Sequence, residues 1–146
     1  MVIKGTILIS NTWVSTLFDT GASHSFISTS FASSVGSQAE VLNFPFNIYS
    51  PVEFSFTIQW VVRRCKVEIA GFRFDFDLLL FDMEEFDAIL GVDWLSTFRA
   101  TIDCYRRRIE FQTADDSHAY VVGDRSLVEE GSKGIDSLSR LLARSE

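Results

Sequence analysis

The sequence has few of the residues that build metal centres and disulfide frameworks. It holds two cysteines and two histidines in 146 residues, and His24 and His118 lie far from Cys65, from Cys104 and from each other. No zinc-ligand spacing results, and at most one internal disulfide can form. Both cysteines stand in apolar, strand-like runs, which favours buried free thiols in a reducing compartment. We therefore expect no metal, no cofactor, and an intracellular, cytoplasmic location.

Long apolar stretches and an excess of basic charge are also missing. Residues 1–10 contain no long apolar run, so we expect no signal peptide, and no segment approaches the length of a membrane span. Acidic residues outnumber basic ones by 20 to 13, which gives a net charge of −7. This balance argues against a nucleic-acid partner held by phosphate contacts. We expect neither a membrane nor a nucleic acid as a partner.

Apolar and aromatic residues, by contrast, are abundant: 47% of the chain is hydrophobic and 14 residues are phenylalanine. Such residues favour strands. Phe72, Phe74, Phe76 and Leu78 alternate with polar residues in the period of two that a half-buried strand requires. Similar short runs predict further strands at Val2–Ile9, Trp13–Phe18, Glu40–Ile48, Phe54–Ala70, Asp87–Leu90, Ala100–Cys104 and Arg108–Gln112. Many short strands predict an all-β, barrel-like fold.

Two short helical stretches interrupt this pattern. Phe26–Val35 is rich in serine and alanine and predicts one or two helical turns that end near Gly36. Asp93 suits the N-cap of a second short helix over Trp94–Phe98.

The pattern changes from Thr113 onward. Residues 126–146 are polar and carry only a weak helical stripe of apolar residues. We therefore assign residues 1–114 to one domain and residues 115–146 to a polar C-terminal linker or tail.

One tripeptide indicates a possible catalytic site. Asp19-Thr20-Gly21 follows an apolar run and is not repeated in the chain. Glycine in such a turn lets backbone N–H groups approach the carboxylate. An aspartic peptidase holds its catalytic carboxylate in this way, and it needs two carboxylates that share a proton. One copy in a short chain predicts a homodimer, whereas an ordinary turn with Asp19 as a local cap is the alternative.

Two longer segments carry a family resemblance. Thr16–Ser28 (TLFDTGASHSFIS) and Phe86–Cys104 (FDAILGVDWLSTFRATIDC) resemble the two signature blocks of the retropepsin-like aspartic protease of gypsy-type LTR retrotransposon polyproteins, in the same order and at similar separation. Val2–Ile9 resembles the strand before the first block, and the likeness extends to about Gln112. The resemblance implies a retropepsin-like closed β-barrel (acid protease fold), one short helix after Ile89-Leu90-Gly91, and a C2 homodimer.

The resemblance also implies roles for the loop residues. Asp19 is the expected catalytic residue, and Thr20 is expected to hydrogen-bond across the dyad to the partner loop. Gly21 allows close approach of the backbone, while Ala22 and Ser23 line the loop.

Further residues are expected to act as support or to stand outside the site. The segment Ile89, Leu90 and Gly91 is expected to pack under the loop, with Gly91 admitting the loop backbone. His24 stands outside the catalytic set, and we interpret Asp93 as a helix cap rather than as a second catalytic acid.

The flap, the hairpin expected to close over substrate, departs from the family pattern. Relatives usually carry a glycine in its turn, where this chain has Glu53, so the turn is stiffer and adds a charge near the cleft. The residues assigned to the flap and to substrate contact are Ser50, Pro51, Val52, Glu53 and Phe54.

Three functions remain open at the level of sequence. The first is a homodimeric aspartic endopeptidase that cleaves a Gag–Pol-like polyprotein, for which the intact Asp19-Thr20-Gly21 argues. The second is a catalytically silent, retrotransposon-derived dimeric module that binds peptides without cutting them, for which Glu53 argues. The third is a monomeric β-barrel without a dyad.

Overall fold

Thirteen strands and two short helices make up the secondary structure of the described part of the chain. A computed structural model of the protein describes residues 2–49, 55–113, 115–123 and 144–145. The strands are β1 Val2–Ile9, β2 Thr12–Asp19, β3 Phe26–Ser28, β4 Glu40–Tyr49, β5 Ser55–Cys65, β6 Val67–Ile69, β7 Phe72–Arg73, β8 Phe76–Phe81, β9 Ala88–Leu90, β10 Thr101–Asp103, β11 Arg108–Gln112, β12 His118–Val122 and β13 Arg144–Ser145. The helices are α1 Thr29–Ser34 and α2 Val92–Thr97.

The strands form one large sheet and one small one. The large sheet has the order β13-β4-β5-β8-β3-β9-β2-β1-β6-β7, and the small one has the order β10-β11-β12. Most pairs are antiparallel, but β2 pairs with β9 and β3 pairs with β8 in parallel. The mostly β fold agrees with the sequence. The predicted closed barrel is not found. In the described residues the large sheet ends at β7 and β13, which are strands of two residues each and do not pair with one another.

Both helices overlap the stretches that were predicted to be helical, but neither begins where predicted. Phe26–Ser28, predicted as the start of the first helix, forms β3, and α2 begins at Val92 rather than at Trp94. In α1, the backbone N–H of Phe31 donates to the Ser28 hydroxyl at 3.1 Å, so Ser28 is the N-cap. In α2, the N-cap is Gly91, and Asp93 lies inside the first turn. The prediction that Asp93 caps this helix was therefore wrong. The helix starts earlier because the N–H of Val92 is already held by the carbonyl of Ala22 at 2.8 Å.

Two apolar clusters lie on opposite faces of β2. Side chains alternate along a strand, so Leu17 and Phe18 enter different clusters, and both are buried. Phe18 packs against Trp94 and Phe111 at ring-centroid distances of 6.1 and 6.2 Å. Leu17 belongs to the cluster that contains Ile89. Full burial of such side chains contributes about 1.5–3 kcal/mol each, so the strand that leads to Asp19 is fixed from both sides.

The small sheet extends past the proposed domain boundary at residues 114 and 115. Strand β12 pairs with β11 in antiparallel register from Gln112↔His118 to Arg108↔Val122. The N–H of Gly123 then donates to the carbonyl of Arg107 at 2.7 Å. Residues 118–123 therefore pack with the strands before them, and the boundary itself stays a prediction.

Residues 124–143 lie outside the described part of the chain. No helix among the described residues combines the length and the apolar character that crossing a membrane demands.

Candidate active site

Strand β2 delivers Asp19 to the loop at its C-terminal end. Val2 of β1 pairs with Asp19, and the neighbouring Phe18 pairs with Leu90 of β9. Because β2 has strands on both sides up to its last residues, the start of the loop has little freedom to shift. Asp19 itself is buried, with none of its surface exposed in the single chain.

Two backbone N–H groups of the loop bond to Asp19, one to its carboxylate and one to its main-chain carbonyl. The N–H of Gly21 donates to Asp19 Oδ1 at 2.8 Å, and the N–H of Ala22 donates to the Asp19 carbonyl at 3.2 Å. Thr20 and Gly21 lie exposed beside the buried aspartate, while Ala22 is buried. The backbone therefore points toward the carboxylate, as the Asp-Thr-Gly interpretation requires, although Gly21 achieves this without a positive φ. Thr20 and Gly21 form the exposed edge of the loop.

Ser23 and His24 connect the loop to strand β4. The Ser23 hydroxyl and His24 Nδ1 form a hydrogen bond of 3.0 Å. The His24 ring lies 5.0 Å from the ring of Phe46, which belongs to β4. His24 therefore packs between the loop and the strand that runs toward residues 50–54.

Gly91 lies directly beneath the loop. A Cβ built on Gly91 would stand 2.3 Å from the carbonyl oxygen of His24 and 2.6 Å from that of Ala22. Ile89 and Leu90, which precede it, are buried. The structure thus places Gly91 against the loop, while Ile89 and Leu90 enter the two apolar clusters on either side of β2.

Sequence reasoning missed Ser25, which is buried at the end of the loop. Its hydroxyl donates to Asp93 Oδ1 at 2.5 Å and accepts the N–H of Gly91 at 2.9 Å. Its own N–H donates to Asp93 Oδ2 at 3.2 Å. The available signal was a serine placed directly before the apolar pair Phe26-Ile27.

Sequence reasoning also missed Asp87, which joins β9 to β2. Its carboxylate accepts the N–H of Ser15 at 3.1 Å, and its own N–H donates to the Ser15 carbonyl at 3.0 Å. Its carbonyl accepts the N–H of Ser28 at 2.8 Å. Asp87 therefore ties together three segments around the loop.

The assigned flap residues lie outside the described part of the chain: Ser50, Pro51, Val52, Glu53 and Phe54. The strands on either side are described, and each contributes a buried isoleucine, Ile48 in β4 and Ile58 in β5. Phe56 packs edge-on against Phe81 at 5.5 Å. These two strands therefore pack on the cluster that contains Leu17 and Ala22.

Among the residues described, no group of three His, Cys, Asp or Glu side chains is arranged to hold a metal ion. The site presents one aspartate, one backbone donor to its carboxylate from Gly21, and Gly91 beneath the loop.

Comparison with solved structures shows what fold this arrangement belongs to. The retroviral protease-like domain of Ddi1 from Leishmania major superimposes with a TM-score of 0.66 at 18% sequence identity, covering 87% of this chain and 98% of that one. EIAV protease in complex with the inhibitor HBY-793 gives a TM-score of 0.48 at 19% identity, with 68% and 90% covered. No curated protein matches the sequence. The sequence model of the retroviral aspartyl protease family matches residues 1–117, and the chain belongs to that family.

Proposed function

We propose that this protein is an aspartic endopeptidase that acts as a homodimer, with one Asp19 from each subunit. The observation that carries the proposal is the Asp19 loop, which occurs once in the chain and directs the N–H of Gly21 at the Asp19 carboxylate. Membership in the retroviral aspartyl protease family supports it. Two carboxylates facing each other across a C2 axis supply the shared proton that one subunit lacks.

In the proposed mechanism, the two Asp19 carboxylates hold a water molecule between them. One carboxylate takes a proton from the water as its oxygen attacks the scissile carbonyl carbon, while the other, protonated, donates a hydrogen bond to the carbonyl oxygen. Transfer of that proton to the carbonyl oxygen gives the tetrahedral gem-diol. The proton taken from the water then passes to the amine nitrogen, the C–N bond breaks, and one hydroxyl of the gem-diol returns a proton to the other carboxylate. The enzyme forms no covalent intermediate.

The proposed substrate is an extended, largely apolar stretch of a retrotransposon Gag–Pol-like polyprotein. A peptide bound between the flap and the floor of the cleft adds a strand to the strands around it. Because Asp19 has no exposed surface in the single chain, a peptide reaches it only after the groups that cover it move. In the proposed enzyme, the hairpin between β4 and β5 closes over the bound peptide as a flap and excludes water.

The decisive experiment is incubation of the purified protein with an unfolded protein at mildly acidic pH. Wild type is compared with Asp19→Asn, which keeps the size of the side chain and removes the ionisable group. Pepstatin, which we expect to inhibit this family, provides a second control. Cleavage by wild type alone that pepstatin blocks supports the proposal, and equal cleavage by Asp19→Asn contradicts it.

The second candidate is a catalytically silent dimer that binds peptides, and the complete burial of Asp19 favours it. The same peptides distinguish the two. Saturable binding of an extended apolar peptide without cleavage, and equally by wild type and Asp19→Asn, identifies a binding module.

A further inference from the structure

Asp93 stands where the loop, the segment beneath it and helix α2 meet. One of its carboxylate oxygens accepts both the Ser25 hydroxyl at 2.5 Å and the N–H of Trp94 at 2.7 Å. The other accepts the N–H of Ser25 at 3.2 Å. Three donors thus converge on one carboxylate. In its ionised form a carboxylate only accepts hydrogen bonds, so it can accept from all three donors.

The hydroxyl of Ser25 carries this connection on to Gly91. It donates to Asp93 and accepts the N–H of Gly91 at 2.9 Å, so both functions of the hydroxyl are in use. The carbonyl of Ser25 accepts the N–H of Leu79 at 3.0 Å, which also ties the residue to β8. A buried serine held in this way has one position and one rotamer.

Gly91 in turn determines how closely the loop approaches the segment beneath it. Its backbone lies against the carbonyls of Ala22 and His24, too close for any side chain, and the N–H of Val92 donates to Ala22 at 2.8 Å. Asp93, Ser25 and Gly91 therefore form a continuous polar connection from α2 to the middle of the loop that begins at Asp19.

We propose that Asp93 and Ser25 are positioning residues for the catalytic aspartate, acting through the loop rather than on the substrate. The inference rests on the proposed function, because it assigns the pair a role in that reaction. In a C2 dimer a displacement of the loop occurs twice, once in each subunit. A shift of about 1 Å between reacting groups lowers a rate by roughly a hundredfold, so loss of the connection affects turnover more than peptide binding.

The test compares Ser25→Ala, Ser25→Thr and Asp93→Asn with wild type in steady-state cleavage of one peptide. Ser25→Ala removes the hydroxyl. Asp93→Asn replaces one acceptor oxygen with an NH2 group, which then faces a donor that the carboxylate accepted from. We expect each to lower kcat by about 10- to 100-fold with KM changed less than about threefold. Ser25→Thr keeps the hydroxyl and is expected to recover most of the kcat that Ser25→Ala loses. The double variant Ser25→Ala/Asp93→Asn is expected to be little worse than either single variant, because both break one connection.

A matched control separates positioning from loss of stability. Val67→Ala removes two methyl groups from a fully buried side chain that pairs with Ile9, at the end of β1 opposite to Asp19. It is expected to lower the unfolding temperature without lowering kcat per folded chain. If Ser25→Ala loses activity only in proportion to its unfolded fraction, as the control does, the inference is wrong.

If the wild type proves inactive, the proposed function is wrong, but the positioning role can still be tested by amide hydrogen exchange. The positioning role requires faster exchange at Gly21 and Ala22 in Ser25→Ala and Asp93→Asn, but not in Val67→Ala. Unchanged exchange at these two amides in the Ser25 and Asp93 variants overturns the inference whether or not the protein cleaves peptides.

Discussion

Gly91 and His24 approach each other more closely than any side chain at position 91 would permit. The distance from a Cβ built on Gly91 to the His24 carbonyl oxygen is 2.3 Å. The neighbour is backbone, part of the loop that continues from Asp19, and it cannot turn away as the end of a flexible side chain could. Glycine at this position is therefore a requirement of the loop, independent of any positive φ.

The first prediction is that Gly91→Ala displaces the loop. We expect a loss of roughly 2–3 kcal/mol in the free energy of unfolding, from overpacking against backbone, and loss of most peptidase activity. Gly36→Ala is the control: Gly36 has a φ of +68° and no atom within 4 Å of its added Cβ. It is expected to cost only about 1 kcal/mol, from strain of the left-handed conformation. Urea unfolding of both variants measures the difference, and equal losses would refute the contact as the cause.

The second prediction concerns the thiol of Cys65. Burial raises the pKa of Cys65 from 9.0 to about 11, against a smaller opposing effect of the Ser10 hydrogen bond. The folded state therefore holds its proton more tightly than the unfolded state. The associated stability is complete below pH 9 and is lost as the pH rises from about 9 to about 11, in total about 2–3 kcal/mol.

Cys65→Val isolates this effect, because lysines and tyrosines titrate in the same pH range in both proteins. The unfolding free energy of wild type is expected to fall more steeply than that of Cys65→Val between pH 8.5 and 10.5. Cys104 is exposed, so the expectation of a buried thiol was wrong at that position. At pH 8, iodoacetamide is expected to label Cys104 well before Cys65. Identical pH slopes, or equal labelling rates, would contradict the prediction.

Much of the fold follows from local pattern in the sequence, and the Asp19 loop follows from it too. The strands β1 and β2 and the short helix after Gly91 were predicted because alternation and turn residues are properties of neighbouring positions. The expectation that Gly91 lies against the loop came from the family resemblance and not from the local pattern of the sequence.

The predictions that were wrong concern features that depend on contacts between distant segments of the chain. Residues 54–70 were predicted as one strand, but β5 ends at Cys65 and β6 begins at Val67. Arg64 adopts a φ of 49°, and the pairing with β8 shifts register between Val62 and Cys65. Arginine is not a turn signal, so nothing local marked this break. The start of α2 likewise depends on the Ala22 carbonyl, some seventy residues earlier in the chain.

The third prediction tests the domain boundary proposed between residues 114 and 115. Ala119 is buried, and Arg108 lies 4.6 Å from the centre of the Tyr120 ring. A chain that ends after Gly123 is expected to unfold at nearly the temperature of the full chain, although it also lacks β13. A chain that ends after Gln112 loses β12 and is expected to be less stable by roughly 2–4 kcal/mol, because burial over β11 is lost. Thermal unfolding by circular dichroism decides, and equal stability of the two truncated chains would place the boundary at 114.

The last prediction concerns the two carboxylates of the proposed dyad. If each active site takes Asp19 from two chains, a dimer of one wild-type and one Asp19→Asn chain is inactive. After subunit exchange at equal concentrations, random pairing leaves about half of the wild-type chains with a wild-type partner, so activity per wild-type chain is expected to fall to about half. Asp116→Asn makes the same chemical change at an exposed position and is expected to leave the activity of the mixture undiminished. Dilution of wild type alone should also lower its specific activity as dimers dissociate. Activity that neither the inactive partner nor dilution reduces would mean that a single chain cleaves peptides, and the dyad mechanism would be wrong.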